Sequence, residues 1–157
     1  MSDTHTKTHR NQLYDTDFYA WTQEQAQLLR ERRFDDLDLD NLVDEVQSVG
    51  SSEKREIRRR LRILLTHLLK WKLQPGMRGN SWRRTIREQR EAIAEIVQGS
   101  PSLQSYVLDA VHAAYIAATV AASEETGLAI GIFPEECPFD PHNVLGLEFF
   151  PEDRELE

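Results

Sequence analysis

LVDEVQSVGSSEKREIRRRLRILLTHLLKWKLQPG, residues 42–76, is the stretch that decides the fold. Leu42, Val46, Val49, Ile57, Leu61, Leu64, Leu68 and Trp71 follow one another at three- and four-residue steps or their multiple. That is the period of a helix with one apolar stripe. Gly50-Ser51-Ser52 reads as a stop by punctuation, yet the period continues in phase across it. The segment therefore reads as two nearly collinear helices, or one long helix kinked at Gly50. Pro75-Gly76 closes it at about Gln74.

The same reasoning extends outward. Upstream, Asp15 or Thr16 caps a helix running to about Arg33, with Phe18, Trp21, Gln25 and Leu28 on one stripe. Phe34 to Asp40 is an acidic connection, and Asp38 or Asp40 caps the long helix. Downstream, Ser81 caps a helix from Trp82 to Gln98, with Gly99 just past its end. Ser100-Pro101 opens a further helix that runs to about Glu125 and stops at Gly127. Residues 127–157 carry four prolines and three glycines among scattered aromatic and branched side chains. There only Asp140 to Val144 reads as a short helical turn. No strand, repeat or low-complexity segment is visible. The expected architecture is an all-α bundle of four to five helices with an irregular C-terminal segment wrapped on it. The expected organisation is a loose tail over 1–13, one helical domain over 14–150 and an acidic tail over 151–157.

Length and composition agree. A chain of 157 residues with 29 % charged residues suits one globular domain. No run approaches the ~18 consecutive apolar residues of a membrane span. The most apolar stretch, Tyr106 to Ala122, contains Asp109 and His112 and reads as a packed helix. No signal peptide is visible at the start, and the lone Cys137 has no disulfide partner, so a cytoplasmic location and no membrane contact are expected.

The formal net charge of −8 is unevenly spread. Residues 53–90 hold 13 Lys and Arg against 3 acids, whereas residues 1–52 hold 5 against 11 and residues 91–157 hold 1 against 13. Within the basic stretch, residues 67–90 gather His67, Trp71, Trp82 and seven lysines and arginines around one Pro-Gly turn. Lys70 and Lys72 lie in the last turn of their helix, where the dipole favours cations. Arg83, Arg84 and Arg87 lie in the first turns of the next, where it does not, and Arg78 is just upstream. Such a helix start wants negative charge and acceptors for its free N–H groups.

Two kinds of group answer that demand. Internally, Arg84–Glu88 and Arg87–Glu91 can pair at i, i+4 for about 0.3 kcal/mol each, and acids from the chain ends can cover the rest. Externally, a phosphate, a carboxylate ligand or a nucleic-acid backbone fits, with Trp71 or Trp82 to stack on a base.

The string Tyr14-x-x-Asp17-Phe18-Tyr19-x-Trp21, the string His67-Leu-Leu-Lys-Trp-x-x-Gln74-Pro75, Ser81-Trp82-Arg83, Ser100-Pro101-Ser102-Leu103 and Cys137-Pro138 together resemble the Domain of Unknown Function 29 family. That family is bacterial and numerous in cyanobacteria. The resemblance spans about residues 14 to 150, with Asp44-Glu45 standing for the acidic pair of its second helix. It implies a small bacterial helical protein without an established activity, and it supplies no catalytic residues.

Three readings follow. The leading one is a helical interaction module that binds a protein partner or small anion, or less favourably nucleic acid through residues 53–90. Its candidate site residues are His67, Gln74, Arg78, Trp82, Arg83 and Arg87. The second is a hydrolase- or nuclease-like enzyme using His67 with Asp17 or Glu45 as base and the arginines as a clamp. The third is a structural or assembly domain whose charges are neutralised internally. Homo-oligomerisation is compatible with each. No cofactor and no metal is expected: Asp109-x-x-His112 occurs once, not as the pair a di-iron bundle needs, and His5 and His9 fall in the tail.

Overall fold

The computed structural model of the protein describes residues 12–152. The described residues form an all-α structure with no strand. Its elements are α1 (Phe18–Arg30), α2 (Leu39–Leu73), α3 (Asn80–Gly99), α4 (Gln104–Thr126) and the short α5 (Pro141–Leu145), preceded by helical residues 12–16. The chain divides into two compact units, residues 1–51 and 52–157, and the boundary falls within α2.

In the N-terminal unit the cap of α1 is Asp17, not Asp15 or Thr16. Its carboxylate accepts the Ala20 N–H at 3.0 Å, and residues 12–16 are already helical ahead of it. The helix also stops at Arg30 rather than Arg33. Arg33 N–H donates to Leu28 O at 2.9 Å, Arg32 N–H donates to Leu29 O at 3.1 Å, and Arg32 takes φ 58°. This is a Schellman ending with arginine where glycine is usual. The left-handed residue reverses the chain toward α2. One buried network sets that reversal: Trp21 Nε1 donates to Asp38 Oδ2 at 3.0 Å, Asn41 Nδ2 to the same oxygen at 2.7 Å, and the Asp38 N–H to Gln25 Oε1 at 2.8 Å. Tyr14, Phe18 and Trp21 pack ring against ring beside it, 4.9–5.7 Å between centroids.

The Tyr14 hydroxyl donates to Glu45 Oε1 at 2.6 Å. That bond to a carboxylate holds the phenol's pKa up at about 12, with desolvation and the acids nearby adding to it. A phenol whose folded pKa lies above its unfolded value of about 10 contributes stability below pH 10 and loses it as pH rises toward 12. Burial likewise raises the Tyr115 phenol to about 12, so absorbance titration of the tyrosinates should show two late-ionising phenols, of which one disappears in Tyr14→Phe. The same substitution should flatten the alkaline limb of the unfolding profile.

Helix α2 is one helix of 35 residues, continuous through Gly50. The apolar period outweighs the glycine and the two serines. A Cβ placed on Gly50 would meet nothing within 4 Å, so no packing demands a glycine there.

The C-terminal unit carries the main core. Ile57, Leu61, Leu64, Leu65, Leu68 and Trp71 of α2 pack with Ile86 and Ile93 of α3 and with Val107, Val111, Tyr115 and Ala118 of α4. Phe133, Phe139 and Val144 close it from the irregular C-terminal segment. Pro101–Thr126 is long and apolar enough to cross a membrane by length and composition, but one of its faces is spent on this core. Pro101 opens a 3₁₀ turn ahead of α4, and Gly127 ends α4 in the left-handed conformation at φ 72°. Gly99 is the last residue of α3 rather than the one beyond it. The Asp140 carboxylate caps α5 through the His142 N–H at 2.9 Å.

The C-terminal segment is held by one side chain that charge counting hides. Arg90 is only 2 % exposed. Its Nε donates to Val144 O at 2.8 Å, and its Nη2 donates to Phe149 O at 2.8 Å and Asn143 O at 3.4 Å; Nη1 reaches Leu147 O at 3.4 Å. Burial without an acid partner lowers its pKa to about 10, still far above neutrality. The cation is stabilised by carbonyl dipoles at the end of α5, where a helix favours positive charge.

Candidate anion-binding site

The basic hairpin lies in the C-terminal unit, where α2 ends and α3 begins. Gln74-Pro75-Gly76-Met77 makes the turn: the Gln74 N–H donates to Lys70 O at 2.9 Å and the Met77 N–H to Gln74 O at 3.0 Å. Arg78 then folds back, and its Nε donates to the Trp71 carbonyl at 2.7 Å. An arginine thus answers one of the carbonyls left open at the end of α2.

Ser81 does not cap α3. The helix starts one residue earlier, after an extended Gly79 (φ −160°, ψ 177°), which has no side chain to cap it. Ser81 lies inside that turn and its carbonyl accepts the Thr85 hydroxyl at 3.1 Å. The Gly79 carbonyl accepts the Arg83 N–H at 3.1 Å. The N–H groups ahead of Arg83 therefore have no intrahelical acceptor.

The arginines of this hairpin rest on rings. The Arg83 guanidinium carbon stands 4.9 Å from the Trp71 centroid and 5.6 Å from that of Phe150. Arg78 stands 5.2 Å from Trp71, and Arg90 5.7 Å from Phe150. The two rings touch, 4.8 Å apart and tilted by 49°. A guanidinium over a ring face gains cation–π energy and keeps its edge N–H groups available. Phe150 is a platform the sequence did not reveal, because it comes from the irregular C-terminal segment.

Asn80, Ser81, Arg83, Arg84 and Arg87 line an open cavity of about 470 Å³ beside the uncapped helix start. Arg84 and Arg87 reach Glu88 and Glu91 only at 3.8 and 3.9 Å, and both arginine side chains are 67 % exposed. Exposed pairs this long contribute little. Among the described residues no acid pairs with Arg83.

The other candidates are placed elsewhere. Trp82 is half-buried against the core, with Lys70 Nζ 4.8 Å over its ring, and that lysine pairs with Glu125 at 2.8 Å. His67 is half-buried one turn before Trp71, and its Nδ1 lies 2.9 Å from the Ile63 carbonyl. Burial lowers its pKa most, Lys70 lowers it further, and the Ile63 bond and Glu125 oppose. Neither residue lines the arginine cavity, nor does Gln74. The carboxylates of Asp17 and Glu45 are occupied at home, by the Ala20 N–H and the Tyr14 hydroxyl. His5 and His9 lie outside the described residues. Among the described residues no group of three His, Cys, Asp or Glu side chains could hold a metal ion. Burial raises the Cys137 thiol, against the hydrogen bond it makes to Phe139 O.

A family model matches residues 13–150, nearly the whole chain. The chain belongs to DUF29, a domain of unknown function. No curated protein and no solved structure matches it. The family thus covers both units of this DUF29 chain and its arginine-lined hairpin, but assigns no chemistry to either.

Proposed function

We propose that this DUF29 chain is a binding module that takes an anionic group in the cavity lined by Asn80, Ser81, Arg83, Arg84 and Arg87. One observation carries this reading: Arg83 lies against the faces of Trp71 and Phe150, and among the described residues no acid pairs with it. Preorganising a guanidinium on rings removes much of the entropy a free arginine loses on binding. The uncapped first turn of α3 adds backbone N–H donors and the positive end of a helix dipole to the same place. A phosphate or carboxylate group matches that set of donors.

The test is calorimetric titration with inorganic phosphate and pyrophosphate, together with anisotropy of a fluorescent single-stranded oligonucleotide across a salt series. Arg83→Gln should weaken binding about tenfold or more, the scale of one hydrogen bond to a charged group. The control Arg59→Gln removes a cation paired to Glu56, outside the cavity, and should leave affinity unchanged. Absence of binding by all three probes, or equal losses in both variants, would overturn the reading. Salt-steep binding of the oligonucleotide alone would point to a nucleic-acid backbone.

A further inference from the structure

Among the described residues, the N-terminal unit exposes an apolar surface. Eight of the fourteen exposed large apolar side chains among the described residues fall between Phe18 and Val49. Along α2, Leu39 is 59 % exposed, Val43 53 %, Val46 71 % and Val49 70 %. At about 100° per residue, Leu39, Val43, Val46 and Gly50 fall within about 60° of one another, and Val49 borders them. The half-buried Asn41 and Glu45 are turned about 100° or more away from Leu39, Val43 and Val46, whereas the half-buried Leu42 falls between Val46 and Val49 at the edge of the stripe.

Charge marks this stripe further. From Phe34 to Glu53 the chain has seven acids and no lysine or arginine. Asp38 is buried in the turn network and Glu45 is engaged by Tyr14. Asp40 and Asp44 are exposed, and by the same rotation both flank the stripe on one side. Beyond Val46 the small residues Ser48, Gly50, Ser51 and Ser52 leave room for a close backbone approach.

We infer that Leu39, Val43, Val46 and Val49 form the docking surface for an amphipathic helix of another protein whose apolar stripe is bordered by lysine or arginine. Apolar side chains at three- and four-residue steps form a ridge of the kind that packs against a second helix. Residues 39–51 run for about 20 Å, which fits a partner helix of three to four turns. The acidic flank selects the partner's sign. A second copy fits less well, because a two-fold contact would bring Asp40 and Asp44 toward their own counterparts. This inference is independent of the arginine cavity and stands or falls without it.

The test uses the full chain and a fluorescein-labelled, 18-residue designed helix carrying leucines at three- and four-residue steps and lysines beside them. One control peptide has glutamates in place of the lysines, and another has serines in place of the leucines. Anisotropy should show micromolar binding of the lysine peptide and at least tenfold weaker binding of both controls. The double variant Val43→Ser/Val46→Ser changes exposed side chains, so its helix content by circular dichroism should match the parent. It should lose at least tenfold in affinity, and Asp40→Asn/Asp44→Asn about threefold with a flatter salt dependence. No binding, or binding unchanged in the valine variant, would overturn the inference. So would a dimer in sedimentation that the valine variant abolishes, which would assign the stripe to a second copy.

Discussion

Arg90→Met is expected to lower the unfolding free energy by about 3 kcal/mol. Methionine fills the aliphatic part of the space but donates nothing. The carbonyls of Asn143, Val144, Leu147 and Phe149 then lose their shared donor. The Asn143 carbonyl keeps the Gly146 N–H at 3.1 Å, but those of Val144, Leu147 and Phe149 must turn to water, so the C-terminal segment is expected to lift from the core and take Phe149 and Phe150 with it. Urea unfolding should show the loss, and limited proteolysis should cut first between Phe139 and Phe150. Arg90→Lys should recover little, because one ammonium cannot reach four carbonyls that a planar guanidinium spans. If Arg90→Lys is as stable as the parent, the fork geometry is not what holds the segment. Lifting Phe150 also removes one ring beneath Arg83, so anion affinity should fall in the same variant.

The second large effect is expected in the other unit. Asp38→Ala should cost about 2 kcal/mol, because it strands the indole N–H of Trp21 and the amide of Asn41 at a site only 7 % exposed. The loss belongs to the N-terminal helix pair rather than to the main core. Hydrogen exchange should therefore speed up across Phe18–Arg30 while amides of α3 and α4 keep their protection. The Trp21 indole proton should move in the NMR spectrum. Uniform loss of protection in both units would mean that they unfold as one.

Helix positions were legible because core burial writes itself into the three- and four-residue period. Leu61, Leu64 and Leu68 of the predicted stripe are fully buried, whereas Val46 and Val49 of the same stripe are 71 % and 70 % exposed, so there the period marks a helix without marking core. The ends were less legible, for reasons that differ residue by residue. Asp15, Thr16 and Asp17 are all acceptable caps, and only the chain's actual path selects Asp17. Ser81 carries the right side chain for a cap, but Gly79 takes that position in an extended conformation. Arg32 ends α1 in a conformation that sequence statistics reserve for glycine or asparagine.

The candidate site was half legible. The crowding of arginine at the start of α3 was visible as a pattern, and the pairs Arg84–Glu88 and Arg87–Glu91 were foreseen at their spacing. That Arg83 lies against Trp71 and Phe150 was not, because Phe150 is 67 residues from Arg83 and follows an irregular C-terminal segment whose course no period records. Arg90 looked like one more surface cation. Its signal was the helical phase: Ile86 and Ile93 are four residues before and three after it, on the buried stripe.

The pairing of guanidinium groups with aromatic rings has a consequence for regulation by acidity. Rings do not ionise, and arginine stays protonated in proteins throughout the biological range. A recognition surface made of these parts has no proton to gain or lose as a compartment acidifies. Affinity for a ligand whose own charge is fixed should therefore stay level from about pH 5 to pH 9. For phosphate, whose second ionisation lies near neutrality, any slope that appears belongs to the ligand.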